Sequence, residues 1–164
     1  MSETLEAWTD FNVALVGATA ALAGLLIVAM SVNIVKIMAS TALPPRAASS
    51  IATLVLAIVA GALGLVPGQP VELYGWEVLV GALVTTVFQV HATRIIAREA
   101  GVSVADRVLK SSMGMVPIAA FLVGGVLTIA GAPGAGLIAV AIGSVLAIVA
   151  AIIMAWVVLV EVLR

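Results

Sequence analysis

A chain of 164 residues in which 64% are hydrophobic and only 9% are charged, with a mean hydropathy of +1.34, lies far outside soluble globular domains, where about a quarter of residues carry charge. Five bilayer crossings of about 20 apolar residues each would absorb most of it, which excludes a soluble domain beside them. The net charge of −1 excludes nothing alone, but the lack of cysteine excludes disulfides, thiolate metal sites and cysteine nucleophiles together.

Residues Met1 to Asp10 carry Glu3, Glu6 and Asp10 and no Lys or Arg, whereas a cleavable signal peptide opens with a positive segment. The first apolar run is therefore expected to be retained. It extends over residues 11–38 and ends at Leu43-Pro44-Pro45-Arg46. Within it Asn12, Thr19 and Asn33 recur at multiples of seven and share one narrow face, so Asn33 is placed to bond across helices. Lys36 follows at the run's boundary, where a long side chain snorkels to the headgroups as an anchor. Gly17, Ala21 and Gly24 form a stripe of small residues that would let another backbone approach. The segment Phe11 to Asn33, FNVALVGATAALAGLLIVAMSVN, resembles the opening helix of small bacterial multi-span inner-membrane proteins, with Phe, an Ala/Gly run, Gly-Leu-Leu and Val-Ala-x-Ser-Val-Asn. The resemblance implies a bacterial inner membrane and no established activity.

The second run covers residues 47–66, carries the small residues Ala57, Gly61 and Gly64, and stops at Pro67-Gly68-Gln69-Pro70. The third covers residues 75–96 and holds most of the intramembrane polar groups. At 100° per residue, Thr85, Thr86, Gln89 and Thr93 share one arc, which reads either as a pore or substrate lining or as helix-to-helix hydrogen bonding with the threonines bonded back to their own preceding turn. Gln89 matters most, because its amide is harder for its own helix to satisfy than a threonine hydroxyl. His91 points away from the arc and lacks the partners of a metal site or a hydrolytic triad, leaving an interfacial side chain or a pH-sensitive group. Glu77 at the other end of this run is a cation-attracting mouth residue or a solvated helix N-terminus. The charged stretch from Arg98 to Lys110 follows, where Ser103 with Asp106 resembles a capping box and predicts a short surface helix, unless the stretch is an irregular tether.

The fourth run, residues 113–130, contains Pro117, which removes the helical donor for the Met113 carbonyl and predicts a kink. Gly131-Ala132-Pro133-Gly134-Ala135-Gly136 separates it from the fifth, residues 137–160, where Ala139, Gly143, Ala147 and Ala151 recur every four residues as a packing stripe.

Alternating passage of the five runs puts Lys36, Arg46, Arg94, Arg98, Arg107, Lys110 and Arg164 on one side, cytoplasmic by the positive-inside rule. The other side receives Glu3, Glu6, Asp10, Glu72 and Glu77. The expected fold is all-α, a single transmembrane bundle of five helices with its N-terminus outside and its C-terminus cytoplasmic. Trp8, Tyr74 and Trp76 are expected in the outer aromatic belt and Trp156 near the inner one.

No acid/base pair, activated nucleophile or metal constellation can be assembled, so no enzyme, cofactor, metal or nucleic-acid partner is expected. Two functional classes follow: a homo-oligomeric ion channel or small-solute transporter lined by the third-run arc, and a non-catalytic accessory or assembly subunit of a larger membrane complex.

Overall fold

The structure is a computed structural model and describes residues 3–98 and 104–161. Among these residues every regular element is helical: α1 (Glu3–Glu6), α2 (Thr9–Val32), α3 (Ile34–Ala39), α4 (Leu43–Leu63), α5 (Val71–Arg98), α6 (Val104–Ile129) and α7 (Pro133–Trp156), whose chain continues into a π-helical turn at Val157–Glu161. Five stretches are long and apolar enough to cross a membrane: Thr9–Val32, Leu43–Leu63, Val71–Ile95, Ser111–Ile129 and Pro133–Val160. The chain is an integral membrane protein.

The breakers work as sequence chemistry demands, with shifts of a few residues that have local causes. The expected single run over 11–38 is interrupted at Asn33, whose backbone (φ −107°, ψ 19°) leaves the helical region between α2 and α3. Leu43-Pro44-Pro45 opens α4 instead of standing before it, because a proline in the first helical turn lacks only a donor that would be unpaired anyway. At the far side of the bundle, α7 likewise starts at Pro133, inside the glycine-rich breaker, and the turn is made by Gly131 at φ +85°, a conformation that costs other residues a Cβ clash. The separate surface helix expected between the third and fourth runs is absent: α6 runs unbroken from Val104 into the span, and Ser103 lies outside the described residues.

The spans form a closed ring in chain order, α2 against α4, α4 against α5, α5 against α6, α6 against α7 and α7 back against α2, with α4 also touching α7 across the middle. Their connections alternate between the two ends, so Lys36, Arg46 and Arg94 share one end and Glu72 and Glu77 the other. One core cluster gathers Leu56, Ala57, Ala60, Tyr74, Val78 and Phe121 with Leu5, which α1 tucks fully buried into the acidic end. A second gathers Leu26, Ala29, Ile37, Leu54, Met154 and Val158 toward the cation-bearing end. Tyr74 is thereby a core residue at 1% exposure, not a belt residue, whereas Trp76 and Trp156 face outward at 54% and 61%. Trp8 is half-buried and meets Phe11 edge-on at a centroid distance of 5.6 Å.

Small residues set how closely the ring packs, as they must where lipid offers an apolar environment equal to any side chain. In α7, Gly143, Ala147 and Ala151 are buried and Ala139 half-buried, and Gly143 lies under the Pro117 carbonyl and Phe121 of α6. Gly61 in α4 and Gly64 at its C-cap receive Val16 and Asn12 of α2. The α2 stripe of Gly17, Ala21 and Gly24 does not pack inside the bundle: all three are exposed, and nothing approaches a Cβ built at Gly17 or Gly24 within 4 Å. The inward face of α2 is Asn12, Leu15, Thr19, Ala23, Leu26 and Ala29, continued by Asn33 at its C-cap.

Candidate functional site

The polar arc of α5 divides into two kinds of side chain. Thr85 and Thr86 donate to the carbonyls of their own preceding turn, Gly81 at 2.9 Å and Ala82 at 2.7 Å, the self-satisfaction open to a helical hydroxyl. Gln89 has no such option and is satisfied by three helices. Ser49 of α4 donates its hydroxyl to the Gln89 Oε1 at 2.5 Å, while Gln89 Nε2 donates to Thr93 Oγ1 at 3.3 Å and to the Ser111 carbonyl of α6 at 3.2 Å. The amide is 3% exposed and has room only because residue 114 is glycine: a Cβ there would overlap the Gln89 side chain.

Beside Gln89 the helices α4, α5, α6 and α7 leave a cavity of about 50 Å³ in the half of the bundle nearer the cation-bearing end. Its polar wall comes from α4 as Arg46, Ser49, Ser50 and Thr53, and from α5 as Gln89; its apolar wall is Ala92, Met113, Gly114, Pro117, Ala147, Ala150, Ile153 and Met154. Thr53 donates to the Ser49 carbonyl at 2.9 Å, and Ser49 is committed to Gln89. The Ser50 hydroxyl is buried and has no hydrogen-bond partner, a state that costs about 1–3 kcal/mol. The volume exceeds several-fold what a single water needs.

The α4 wall is the part that sequence reading missed. Arg46, Ser49, Ser50 and Thr53 lie at i, i+3, i+4 and i+7, the spacing of one helix face, in a stretch that reads as the start of an otherwise apolar run. That periodicity was the available signal. It was hidden because Leu43-Pro44-Pro45-Arg46 reads as a linker until its prolines are recognised as a helix start.

Of the remaining candidates, Ala147 alone lines this cavity. Asn33, buried, donates to Ala29 O at 3.4 Å and across to Val158 O in the π turn after α7 at 3.2 Å, tying the α2–α3 break to the end of the fifth span. Lys36 and His91 are exposed on α3 and α5. Glu77, half-buried at the opposite end of α5, accepts a hydrogen bond from Gln69 Nε2, while the Gln69 carbonyl oxygen is buried without a partner. Gly143 packs against α6, Ala147 and Ala151 are buried in the first and second core clusters with Ala147 also on the cavity wall, and Ala139 is half-buried. Among the described residues no three His, Asp or Glu side chains gather as metal ligands.

No protein-family model, curated protein or solved structure matches the chain. What defines it is its own architecture: an integral membrane protein whose apolar helices leave a half-open cavity beside Gln89, with a polar wall from α4 and α5 and an apolar wall opposite.

Proposed function

We propose that the protein is a small-solute transporter or channel of a bacterial inner membrane, acting as a homo-oligomer, with the cavity around Gln89 as its solute chamber. The observation that carries this reading is the half-open cavity between α4, α5, α6 and α7, whose wall sets Arg46, Ser49, Ser50, Thr53 and Gln89 together among otherwise apolar spans. Beyond the chamber the bundle is filled by Leu56, Ala57, Ala60, Val78 and Phe121, so passage needs a rearrangement, which favours a gated carrier over an open pore. Pro117 lines the chamber and leaves α6 short of one backbone bond there, a place for that helix to bend. The positive-inside rule turns the chamber's end of the bundle toward the cytoplasm. Its hydroxyls, amide and guanidinium bind solutes without exchanging protons near neutral pH, so the reading is not enzymatic.

Gln89→Leu is the test. In liposomes the substitution should reduce flux of small polar solutes. It should also destabilise the bundle by about 0.6 to 2 kcal/mol, since it removes the interhelical bonds to Ser49 and to the Ser111 carbonyl. A parent protein that moves no small polar solute at all would overturn the transport reading.

The exposed α2 stripe favours a second reading, an accessory subunit that docks onto a larger membrane complex or its own copy through Gly17, Ala21 and Gly24. Gly17→Leu should leave the stability of the isolated chain within about 0.5 kcal/mol, because nothing in the bundle meets the new side chain. If this face docks, the same change should shift the assembly to smaller particles in detergent; an unchanged particle size would remove the face as a contact.

A further inference from the structure

We infer that the groove between α2 and α7 holds an acyl chain of one anionic phospholipid, with Lys36 at its phosphate. This site is separate from the cavity beside Gln89 and does not depend on transport. It is a half-open space of about 330 Å³ on the outside of the ring. Alanines make its floor, Ala29 and Ala151 buried and Ala155 half-buried, and the exposed Leu25, Val28 and Ile152 stand at its rims. Methyl groups between branched rims leave a gap that the bundle itself does not fill. Among the described residues no polar side chain lines it, so a water there would lack the partners it needs, while an empty groove would forfeit dispersion contacts along its whole lining. A hydrocarbon chain from the surrounding bilayer supplies those contacts. Its length also fits: along α2 the lining runs from Leu22 to Val32, about 15 Å of helix, which is half of the roughly 30 Å hydrocarbon core and so the depth of one leaflet.

Charge selects the lipid. Leu22, Leu25, Val28 and Val32 each stand one residue before a buried one, respectively Ala23, Leu26, Ala29 and Asn33, which puts all four on the same flank of the inward face. Lys36 stands in the same relation to buried Ile37, so this flank continues past the break at Asn33 and ends in an exposed ammonium at the cation-bearing end. The long lysine stem reaches out to headgroup depth, where its charge favours a lipid with a net negative headgroup over a zwitterionic one. A second copy seated in the groove is disfavoured by the same residue: a twofold axis along the membrane normal would set Lys36 against Lys36.

Native mass spectrometry of the detergent-purified protein, titrated with phosphatidylglycerol or with phosphatidylcholine of the same acyl chains, tests the inference. Phosphatidylglycerol should bind saturably and about fivefold tighter than phosphatidylcholine, the weight of one basic residue at an anionic lipid. Lys36→Gln should abolish that preference and leave phosphatidylcholine binding as it was. Val28→Trp, which fills the groove from an exposed position, should weaken both lipids about tenfold, the loss of about two buried methylenes. Both substitutions lie at exposed positions, and a melting curve of each confirms that the fold is kept. Equal binding of the two lipids by the parent protein, or a preference that survives Lys36→Gln, would overturn the inference. So would lipid binding unchanged in a folded Val28→Trp protein. A parent protein that runs as a dimer and becomes a monomer on Val28→Trp would put a second copy in the groove and overturn it as well.

Discussion

Gly136→Ala is expected to lower the stability of the purified protein by about 3 kcal/mol, measured as the shift in unfolding on addition of denaturing detergent to mixed micelles. The Cβ would stand 2.8 Å from both the Gly124 carbonyl oxygen and the Thr128 backbone nitrogen of α6, and it would overlap the Thr128 hydroxyl. Backbone atoms cannot turn aside as a side-chain end can, so α7 would have to move off α6 at the point where the hairpin is closed. Thr128 also donates to the Gly124 carbonyl at 2.8 Å, so the displaced hydroxyl would lose its acceptor or carry it along. Gly134→Ala is the matched control. That position has open space around it and an ordinary helical backbone, so alanine there should be neutral or stabilise by up to about 1 kcal/mol through the unfolded chain. Equal stabilities for the two variants would show that α6 and α7 are not packed as closely as described.

Gly143→Leu should have a comparable effect, by about 3 kcal/mol or by preventing folding, with a different secondary consequence. Even a bare Cβ at this position lies 3.1 Å from the Pro117 carbonyl oxygen and from a ring carbon of Phe121, and 3.2 Å from Ala120 Cβ; the remaining leucine carbons have nowhere to go. Because these neighbours belong to the same chain, the loss should appear in the melting of the single bundle and not as a change of particle size in whatever fraction stays folded. Pro117 and Ala147 line the chamber on either side of this contact, so displacement of α7 should also enlarge the cavity. A variant that melts normally but changes its assembly would place Gly143 at an interface between copies instead.

Gln89 shows how much of the candidate site was legible. Its importance followed from one fact about chemistry, that a primary amide in a span needs partners its own turn does not supply, and the structure gives it partners on α4 and α6 as well as Thr93. For Thr85 and Thr86 the sequence left two readings, lining or back-bonding to their own preceding turn, and they bond back to Gly81 and Ala82. The serines and arginine of α4 were invisible as a group because their meaning depends on which way that helix is turned. On α2 the spacing did not tell which face packs within the chain: Gly17, Ala21 and Gly24 have the spacing of a packing face, yet the buried face is the one with Asn12 and Thr19, continued by Asn33.

By itself the sequence determined what local chemistry controls. The number of spans follows from length and hydropathy, and the ends of the helices from proline and glycine. The segregation of Lys and Arg to one end follows once the spans alternate, and so does the need of Gln89 and Asn33 for partners beyond their own turns. Tertiary structure alone decided which face of each helix points inward, and with it the joining of the Arg46 to Thr53 face to Gln89 and the outward turn of the glycines on α2. The physical reason is the solvent. In water an apolar face must be buried, so periodicity reveals the inside; in a bilayer both faces of a helix are apolar and lipid satisfies either one, so the choice falls to close packing and to a few hydrogen bonds between helices distant in sequence.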